Sequence, residues 1–341
     1  MKAAVYYSQQ DIRIEDIPIP KLNEGEVLVE MKACGVCGSD LMDWYLKNRA
    51  PLVLGHEPSG VIKMKGDKVR DFEVGDRVFV HHHVACLTCH YCKHGDYTLC
   101  EQFHDTNIKP GGFAECFKVP FKNLQLDTLV LPESVTFEEA TLIEPVGCCL
   151  RAIRKGNVRA GDSVAVIGAG ATGIIHVGLS KMYGAAKTIV SDLFDFRLRM
   201  AKKFGADVVI NPEREDLDSV VKAETGGVGV DVAVVTAPSL EAYKSGMRIC
   251  RKGGRLIVFA PTVSGKYLEV SPEKLFFSEL QIVPSYSTSH VETREALDLI
   301  VSGKLDVKEL ITHCFKLVDT AKAFRTALEN KESLKVIVLN E

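Results

Sequence analysis

Little in this 341-residue sequence is extreme, and what it lacks narrows the reading. Neither sign of charge dominates: 42 lysines and arginines face 45 aspartates and glutamates, for a formal net charge of -3. That balance argues against a nucleic-acid partner or an anionic membrane surface. Aromatic residues are sparse at 7%, with a single tryptophan, Trp44. No apolar run reaches the roughly 20 residues needed to cross a bilayer. The most apolar stretch, 163–179, is broken by Gly168, Gly170, Gly173 and His176. The first eight residues lack the basic-then-apolar layout of a secretory leader. The expected location is the cytoplasm, with no membrane partner. Repeats and low-complexity segments are also missing.

What is present is a normal globular composition, 46% hydrophobic and 26% charged, at a length that suits two domains. There are also eleven cysteines. In a reducing compartment these point to metal binding rather than to a disulfide framework.

The texture of the chain changes after Pro145. Before it, short β-like runs (3–7, 26–33, 60–63, 77–80) alternate with turn residues such as Pro18, Pro20, Gly25 and Gly75-Asp76, as in a compact all-β or α+β unit. After it, apolar strands at 163–168, 188–192, 207–210, 230–236, 255–260 and 281–284 interleave with helical spacing at 172–183, 197–204 and 240–250. Strands that are apolar throughout and separated by helices indicate a parallel sheet covered on both faces, an α/β arrangement. The tail predicts helices at 292–302 and 320–329 and a strand at 335–339.

Gly168-Ala169-Gly170-Ala171-Thr172-Gly173 is a G-x-G-x-x-G between an apolar strand and a helix, with Asp192 at the end of the next strand. This is the dinucleotide-binding fingerprint in its required context. Gly168 makes the tight turn, Gly170 lets the backbone approach the pyrophosphate, and Gly173 lets helix and strand pack closely. The helix N-terminus offers free N–H groups to phosphate. Thr172, Ile174, Ala260 and Ser285 join the expected cofactor contacts. Asp192 would bond the ribose hydroxyls and repel a 2′-phosphate, favouring NAD over NADP. Arg197 is expected over the adenine, although Arg197 and Arg199 leave a 2′-phosphate partner open.

Cys86-x-x-Cys89-x-x-Cys92, followed by Cys100, supplies four thiolates within fifteen positions. Four thiolates at short spacing suit a closed, structural zinc site. An iron–sulfur cluster uses the same number, but nothing else in the sequence points to electron transfer. Cys37 in Gly35-Val36-Cys37-Gly38-Ser39-Asp40, with His56 and Glu57 in Gly55-His56-Glu57, offers a thiolate, an imidazole and a carboxylate. Such a set can hold zinc with one position open, as Lewis-acid chemistry requires.

On these residues, together with Glu144-Pro145, the chain resembles the medium-chain zinc-containing dehydrogenases, and among them the sorbitol and threonine dehydrogenase branch. The resemblance covers essentially the whole length. It implies a mostly-β GroES-like catalytic domain over 1–148 and 288–341, with a zinc lobe at about 84–102, and a Rossmann domain with a doubly wound parallel sheet over 149–287. It implies two zinc ions per chain, one catalytic and one structural. Cys37, His56 and Glu57 would hold the catalytic ion, with Glu144 reaching it directly or through its water. Glu57 and Glu144 have a second reading as acids that only tune local charge, and Cys148 is the one nearby thiol substitute. Asp40 would fix the His56 ring, and Ser39 would bond the substrate hydroxyl and begin the proton path.

The implied reaction is reversible oxidation of a secondary alcohol of polyol, diol or amino-alcohol type to a ketone, with hydride passing to NAD. Homodimers or homotetramers are implied, associating through the edge of the cofactor sheet. The alternatives are an NADP-preferring reductase of the same fold and a non-catalytic dinucleotide-binding protein. One departure from the family stands out: Met42 occupies a place where the family often carries a relay histidine, which leaves Asp43, Tyr45 or water to carry the proton on. Trp44 is a pocket wall or simple core. For His81-His82-His83, strand alternation would send His82 to the opposite face from its neighbours, and packing is favoured over ligation.

Overall fold

The computed structural model describes residues 1–340. The chain forms two compact units, one from Met1–Gly147 together with the segment from Ser287 onward, the other from Cys148–Tyr286.

In the first unit the organising element is the strand Val27–Gly35. Its residues Val27, Val29, Met31 and Ala33 are wholly buried, because the two-residue period of a strand turns every second side chain to the same face. It pairs antiparallel with Glu57–Lys65 on one side and with Lys335–Leu339 on the other. The full sheet has seven strands, in the order Ile311–Lys316, Lys335–Leu339, Val27–Gly35, Glu57–Lys65, Arg77–Val80, Thr128–Val130, with Cys116–Val119 also on Val27–Gly35. Ile62, Val78, Phe117 and Val338 fill the core against it. A smaller sheet joins Lys2–Ser8 to Asp11–Asp16 and Leu52–Val53.

Two details position the site. Gly35 lies opposite Glu57 and also opposite Ile337. The end of the central strand, which leads to Cys37, therefore runs beside the start of the strand that follows His56. The strand Arg77–Val80 stops before the histidine triplet, so alternation does not sort those rings. Instead His82 lies against both His56 and His83, with ring centroids 4.9 and 4.0 Å apart. The expectation of opposite faces fails because the triplet is loop rather than strand.

The second unit is a six-stranded sheet in the order Val208–Ile210, Lys187–Ser191, Ser163–Ile167, Val230–Val235, Cys250–Val258, Gln281–Pro284. Every pairing in it is parallel. The chain starts in the middle, winds outward, then returns to wind the other way. Such a doubly wound sheet has its switch point between the first and fourth strands. The core strands are buried on both faces, as their unbroken apolar runs require.

Helices Leu217–Glu224 and Pro272–Ser278 were not legible as periodic segments. Both are short and begin at side-chain caps, Asp216 and Ser271, that take the N–H groups of Ser219 and Lys274. The strand Ile311–Lys316 also escaped sequence reading, since its mixed ITHCFK pattern is only half-buried. Among the described residues, no helix is long and apolar enough to cross a membrane.

Candidate metal centre and cofactor site

Cys37 follows the central strand and opens the short 3-10 turn Gly38–Leu41. Asp40 within that turn accepts the Cys37 N–H through Oδ2 at 3.0 Å, and its Oδ1 lies 3.4 Å from His56 Nδ1. One buried carboxylate thus ties the thiol loop to the imidazole. With Nδ1 facing Asp40, Nε2 is the nitrogen left for a ligand, the arrangement seen in carboxylate–histidine–metal chains. Glu57 is the first residue of its strand and is fully buried.

One ligand atom each from Cys37, His56 and Glu57 lies within 4.8 Å of the others. Zinc bonds to sulfur, nitrogen and oxygen are about 2.0–2.3 Å, so these atoms can share one ion with small adjustments. A further observation comes from Glu57 itself. Its Oε2 accepts from the Lys335 ammonium, but its Oε1 is buried and has no hydrogen-bond partner. A buried carboxylate oxygen left bare costs roughly 1–3 kcal/mol or more; a metal would satisfy it.

Glu144 stands outside the group of three, though near enough that its charge acts on both Glu57 and Lys335. Burial pushes the Glu57 carboxyl up, and Glu144 adds to this, while Lys335 and His56 pull against it. Burial alone would depress the Lys335 ammonium, yet the charges of Glu57 and Cys37 outweigh it and hold it above its ordinary value.

Lys335 was missed at the sequence level. A lysine opening an apolar strand reads as a solvated flank, and only the pairing of distant strands buries it.

The other nearby groups divide clearly. Ser39 is half-buried, on the turn two residues past Cys37. Asp43 is engaged elsewhere: its Oδ1 accepts the Tyr6 hydroxyl at 2.9 Å and the Gln9 N–H at 3.3 Å. Trp44 is half-buried beside the exposed Tyr45. Cys148 does not belong to the converging group. Burial and neighbouring imidazoles hold His82 well below the ordinary histidine range and His83 down at about 3. His81 is paired with Asp127 at 2.8 Å, and Asp127 in turn accepts from Thr293 at 2.7 Å. The triplet packs and hydrogen-bonds as a wall beside His56.

Cys86, Cys89, Cys92 and Cys100 also converge within 4.8 Å. Sγ of Cys92 lies 3.5 Å from that of Cys89 and 3.9 Å from that of Cys86. Tetrahedral bonds of about 2.3 Å place sulfurs about 3.8 Å apart, whereas a disulfide needs about 2.05 Å. All four thiols are free. Hydrogen bonds from Thr88 bring Cys86 down to about 5, while burial and the adjacent Cys89 thiol push Cys92 up to about 12. The sulfur spacing is the one a tetrahedral cation site requires.

In the second unit, the fingerprint turn is built as its glycines demand. Gly168 has φ of 104°, and a Cβ on it would meet Thr236 Oγ1 at 2.6 Å. A Cβ on Gly173 would meet Gly168 O at 1.9 Å, whereas the space at Gly170, the helix N-cap, is open. Thr236, which sequence reading passed over, pins the turn by donating to Gly168 O at 2.7 Å. Asp192 accepts from the N–H groups of Ala169 and Phe194 at 2.7 and 2.9 Å, with Arg197 4.0 Å away. Asp192, Ala260 and Ser285 all follow the C-terminal ends of parallel strands, where ligands bind in open α/β sheets. Ser285 Oγ is buried without a partner, and Ala260 O accepts from Tyr243. Thr172 O is occupied by Cys149 Sγ and His176 Nδ1. Ile174 is wholly buried, with its N–H given to Gly170 O, so it supports the turn by packing.

Comparison with known proteins agrees with this construction. Residues 23–127 match the family described as alcohol dehydrogenase GroES-like domain, and residues 171–302 match zinc-binding dehydrogenase. The chain is 36% identical to sorbitol dehydrogenase of Bacillus subtilis, over 99% of this chain and 97% of that one. It is 30% identical to D-xylulose reductase A of Aspergillus oryzae, over 94% and 91%. The crystal structure of 2R,3R-butanediol dehydrogenase from Bacillus subtilis superposes with a TM-score of 0.87 at 27% identity, covering 100% of this chain and 99% of that one. A metal-ready thiol, imidazole and carboxylate, a four-cysteine lobe and a dinucleotide sheet thus coincide with near full-length similarity, and the chain belongs to the zinc-binding medium-chain alcohol and polyol dehydrogenase family.

Proposed function

We propose that this protein is an NAD-linked, zinc-dependent dehydrogenase that reversibly oxidises a secondary hydroxyl of a polyol or vicinal diol to a ketone. The observation that carries the reading is the convergence of donor atoms from Cys37, His56 and Glu57 within 4.8 Å, at a buried carboxylate whose Oε1 has no hydrogen-bond partner. The names of the relatives, which include a sorbitol dehydrogenase, a xylulose reductase and a butanediol dehydrogenase, support the substrate class.

Cys37, His56 and Glu57 would hold the catalytic zinc, with Glu144 beside it, and Cys86, Cys89, Cys92 and Cys100 a second, structural one. Bound zinc supplies Lewis acidity, which for water lowers the pKa from about 15.7 to about 7, and nicotinamide supplies the hydride acceptor. The chain's own residues do the orienting. Asp40 fixes the His56 ring, the neutral imidazoles of His82 and His83 add no competing charge, and Ser39 takes the substrate hydroxyl proton. Asp43 is committed to Tyr6 and Gln9, so the proton leaves half-exposed Ser39 to water.

Screening NAD reduction against polyols, diols and amino alcohols, with zinc measured per chain, tests the reading. Turnover of a polyol or diol with about two zinc per chain is expected. Full activity in protein stripped of metal sinks it and favours a zinc-free reductase of the same fold. No turnover with any alcohol or ketone favours a binding protein.

The preference for NAD rests on Asp192. Hydrogen bonds to charged groups contribute about 1.5–3 kcal/mol, so Asp192→Ala is expected to raise the KM for NAD roughly ten- to a hundredfold and to narrow its lead over NADP. Asp192 also holds the Ala169 and Phe194 N–H groups, one on each oxygen, so Asp192→Glu, which keeps the charge, serves as the control. A native preference for NADP would overturn the assignment.

Homo-oligomerisation is supported by the sheet edge. Gln281–Pro284 is an exposed edge strand, and the adjacent helix Pro272–Ser278 buries none of its residues, leaving Phe276 and Phe277 76% and 70% exposed. Open edges and apolar patches of this kind mark association surfaces. Sedimentation should report a dimer or tetramer that Phe276→Glu with Phe277→Glu disrupts; a native monomer excludes it. Eleven thiols free of disulfides support a cytoplasmic location.

A further inference from the structure

Lys335 is an unusual residue to find where it is. Its side chain is 4% exposed, and lysine is almost never fully buried unless paired. Strand pairing puts it there. Ile337 lies opposite Gly35, and Val36 donates its N–H to Val336 O at 2.9 Å. The residue two places earlier, Lys335, therefore reaches past the end of the central strand and alongside the segment that leads to Cys37. Its Nζ donates to Val36 O at 3.2 Å and to Glu57 Oε2.

Gly35 supplies the room. A Cβ there would sit 2.0 Å from Glu57 Oε2 and 2.6 Å from Lys335 Cε. The glycine is needed by the ion pair rather than by the backbone, which is ordinary strand.

The consequence falls on Glu57. Its two oxygens are not equivalent: Lys335 holds Oε2, whereas Oε1 is buried and unpartnered in a residue that converges with Cys37 and His56. A carboxylate with both oxygens free can grip a cation through both. One whose second oxygen is held by a buried ammonium cannot, unless that ammonium is abandoned in a low-dielectric interior, which is costly. Charge points the same way. The Cys37 thiolate, Glu57, Glu144 and the buried Asp40 gather negative charge around a divalent ion, and Lys335 offsets part of it.

We propose that Lys335 is a positioning residue of the metal centre: by holding Glu57 Oε2 it confines the carboxylate to one-oxygen ligation and preserves a coordination position for substrate. This rests on the metal-centre reading above.

Cobalt(II) in place of the catalytic zinc reads ligand number directly, because its visible bands weaken as coordination rises above four. The difference spectrum between the native protein and Cys37→Ser isolates this site from the four-cysteine lobe. Lys335→Met should retain metal, lose band intensity and lose about 10- to 100-fold in turnover, as substitutions behind a metal ligand do. Lys335→Arg should restore most of both. A Lys335→Met spectrum identical to the native one overturns the proposal, as does a variant that merely loses metal while its remaining sites look native. Should Lys335→Met not fold, cobalt-edge X-ray absorption on the native protein, with zinc kept in the four-cysteine lobe, answers the same question: about four ligands are expected, and five or six overturn the proposal. Absence of any cobalt–thiolate band that depends on Cys37 would instead refute the metal centre itself.

Discussion

Cys37→Ala is expected to lower turnover by about three orders of magnitude or more while leaving dinucleotide binding nearly intact. The size follows from the chemistry removed. A Lewis acid in an acyl- or hydride-transfer site contributes several kcal/mol to the transition state, and each 1.36 kcal/mol is a factor of ten in rate. Loss of the thiolate removes one of three converging donors and leaves His56 and Glu57 as a two-point site, with Glu57 Oε1 again bare. The dinucleotide fingerprint lies in the other compact unit, which has its own buried core of Ala165, Ile189, Ala233 and Leu256. Its affinity for cofactor should therefore survive. Fluorescence titration with NADH and steady-state rates with the best alcohol from the panel make the comparison. Retained turnover would remove the catalytic role from Cys37, and parallel loss of both rate and cofactor affinity would mean that the substitution acts through folding.

Replacement of Cys92 by alanine should act in the opposite way, on order rather than on chemistry. The lobe has a very small apolar core: Ala85, Cys92, Cys100 and Phe103 are its buried members. Burying one phenylalanine contributes about 1.5–3 kcal/mol, while fixing the backbone of each residue costs about 1–2 kcal/mol. So few apolar groups cannot order the 86–100 loop unaided. Structural zinc in small domains contributes about 10–16 kcal/mol, enough to supply that stabilisation if the four thiols hold an ion as proposed. Cys92→Ala is expected to lose one zinc per chain and roughly 3 kcal/mol or more of local stability. Amide exchange over residues 86–100 should rise sharply, and the lobe should become the first site of proteolysis. Unchanged exchange and zinc content would show that the four thiols hold no structural ion.

These two experiments separate roles that the donor spacing alone leaves mixed. Both sites include cysteine, and both gather donor atoms within the same 4.8 Å. What distinguishes them is composition. Four thiolates close a tetrahedron, whereas a thiolate, an imidazole and a half-engaged carboxylate leave room for another ligand.

Much of this was readable in the sequence because it is local. The four-cysteine spacing, the glycine fingerprint with Asp192 beyond it, and the apolar strands of the parallel sheet each declare themselves within about thirty residues. Cys37, His56 and Glu57 could be named as donors from their types and neighbours. Local pattern misleads at boundaries. The histidine triplet continues a strand-like run, but the strand ends at Val80. The helices Leu217–Glu224 and Pro272–Ser278 are too short for a period to show and are set by their caps.

By itself the sequence determined which chemistry this protein can carry: two sets of side chains with metal-donor atoms, and a turn shaped for a pyrophosphate. Tertiary structure alone decided how that chemistry is held. It opposed Gly35 to Glu57 and Ile337, bringing the strand that begins at Lys335 against a carboxylate 278 positions away. It also gave Asp127 both His81 and Thr293 as partners and drew Asp43 toward Tyr6. The reason is physical. Side-chain type and short spacing are properties of the chain, but a contact between distant strands depends on sheet register, and no local period in the sequence records it.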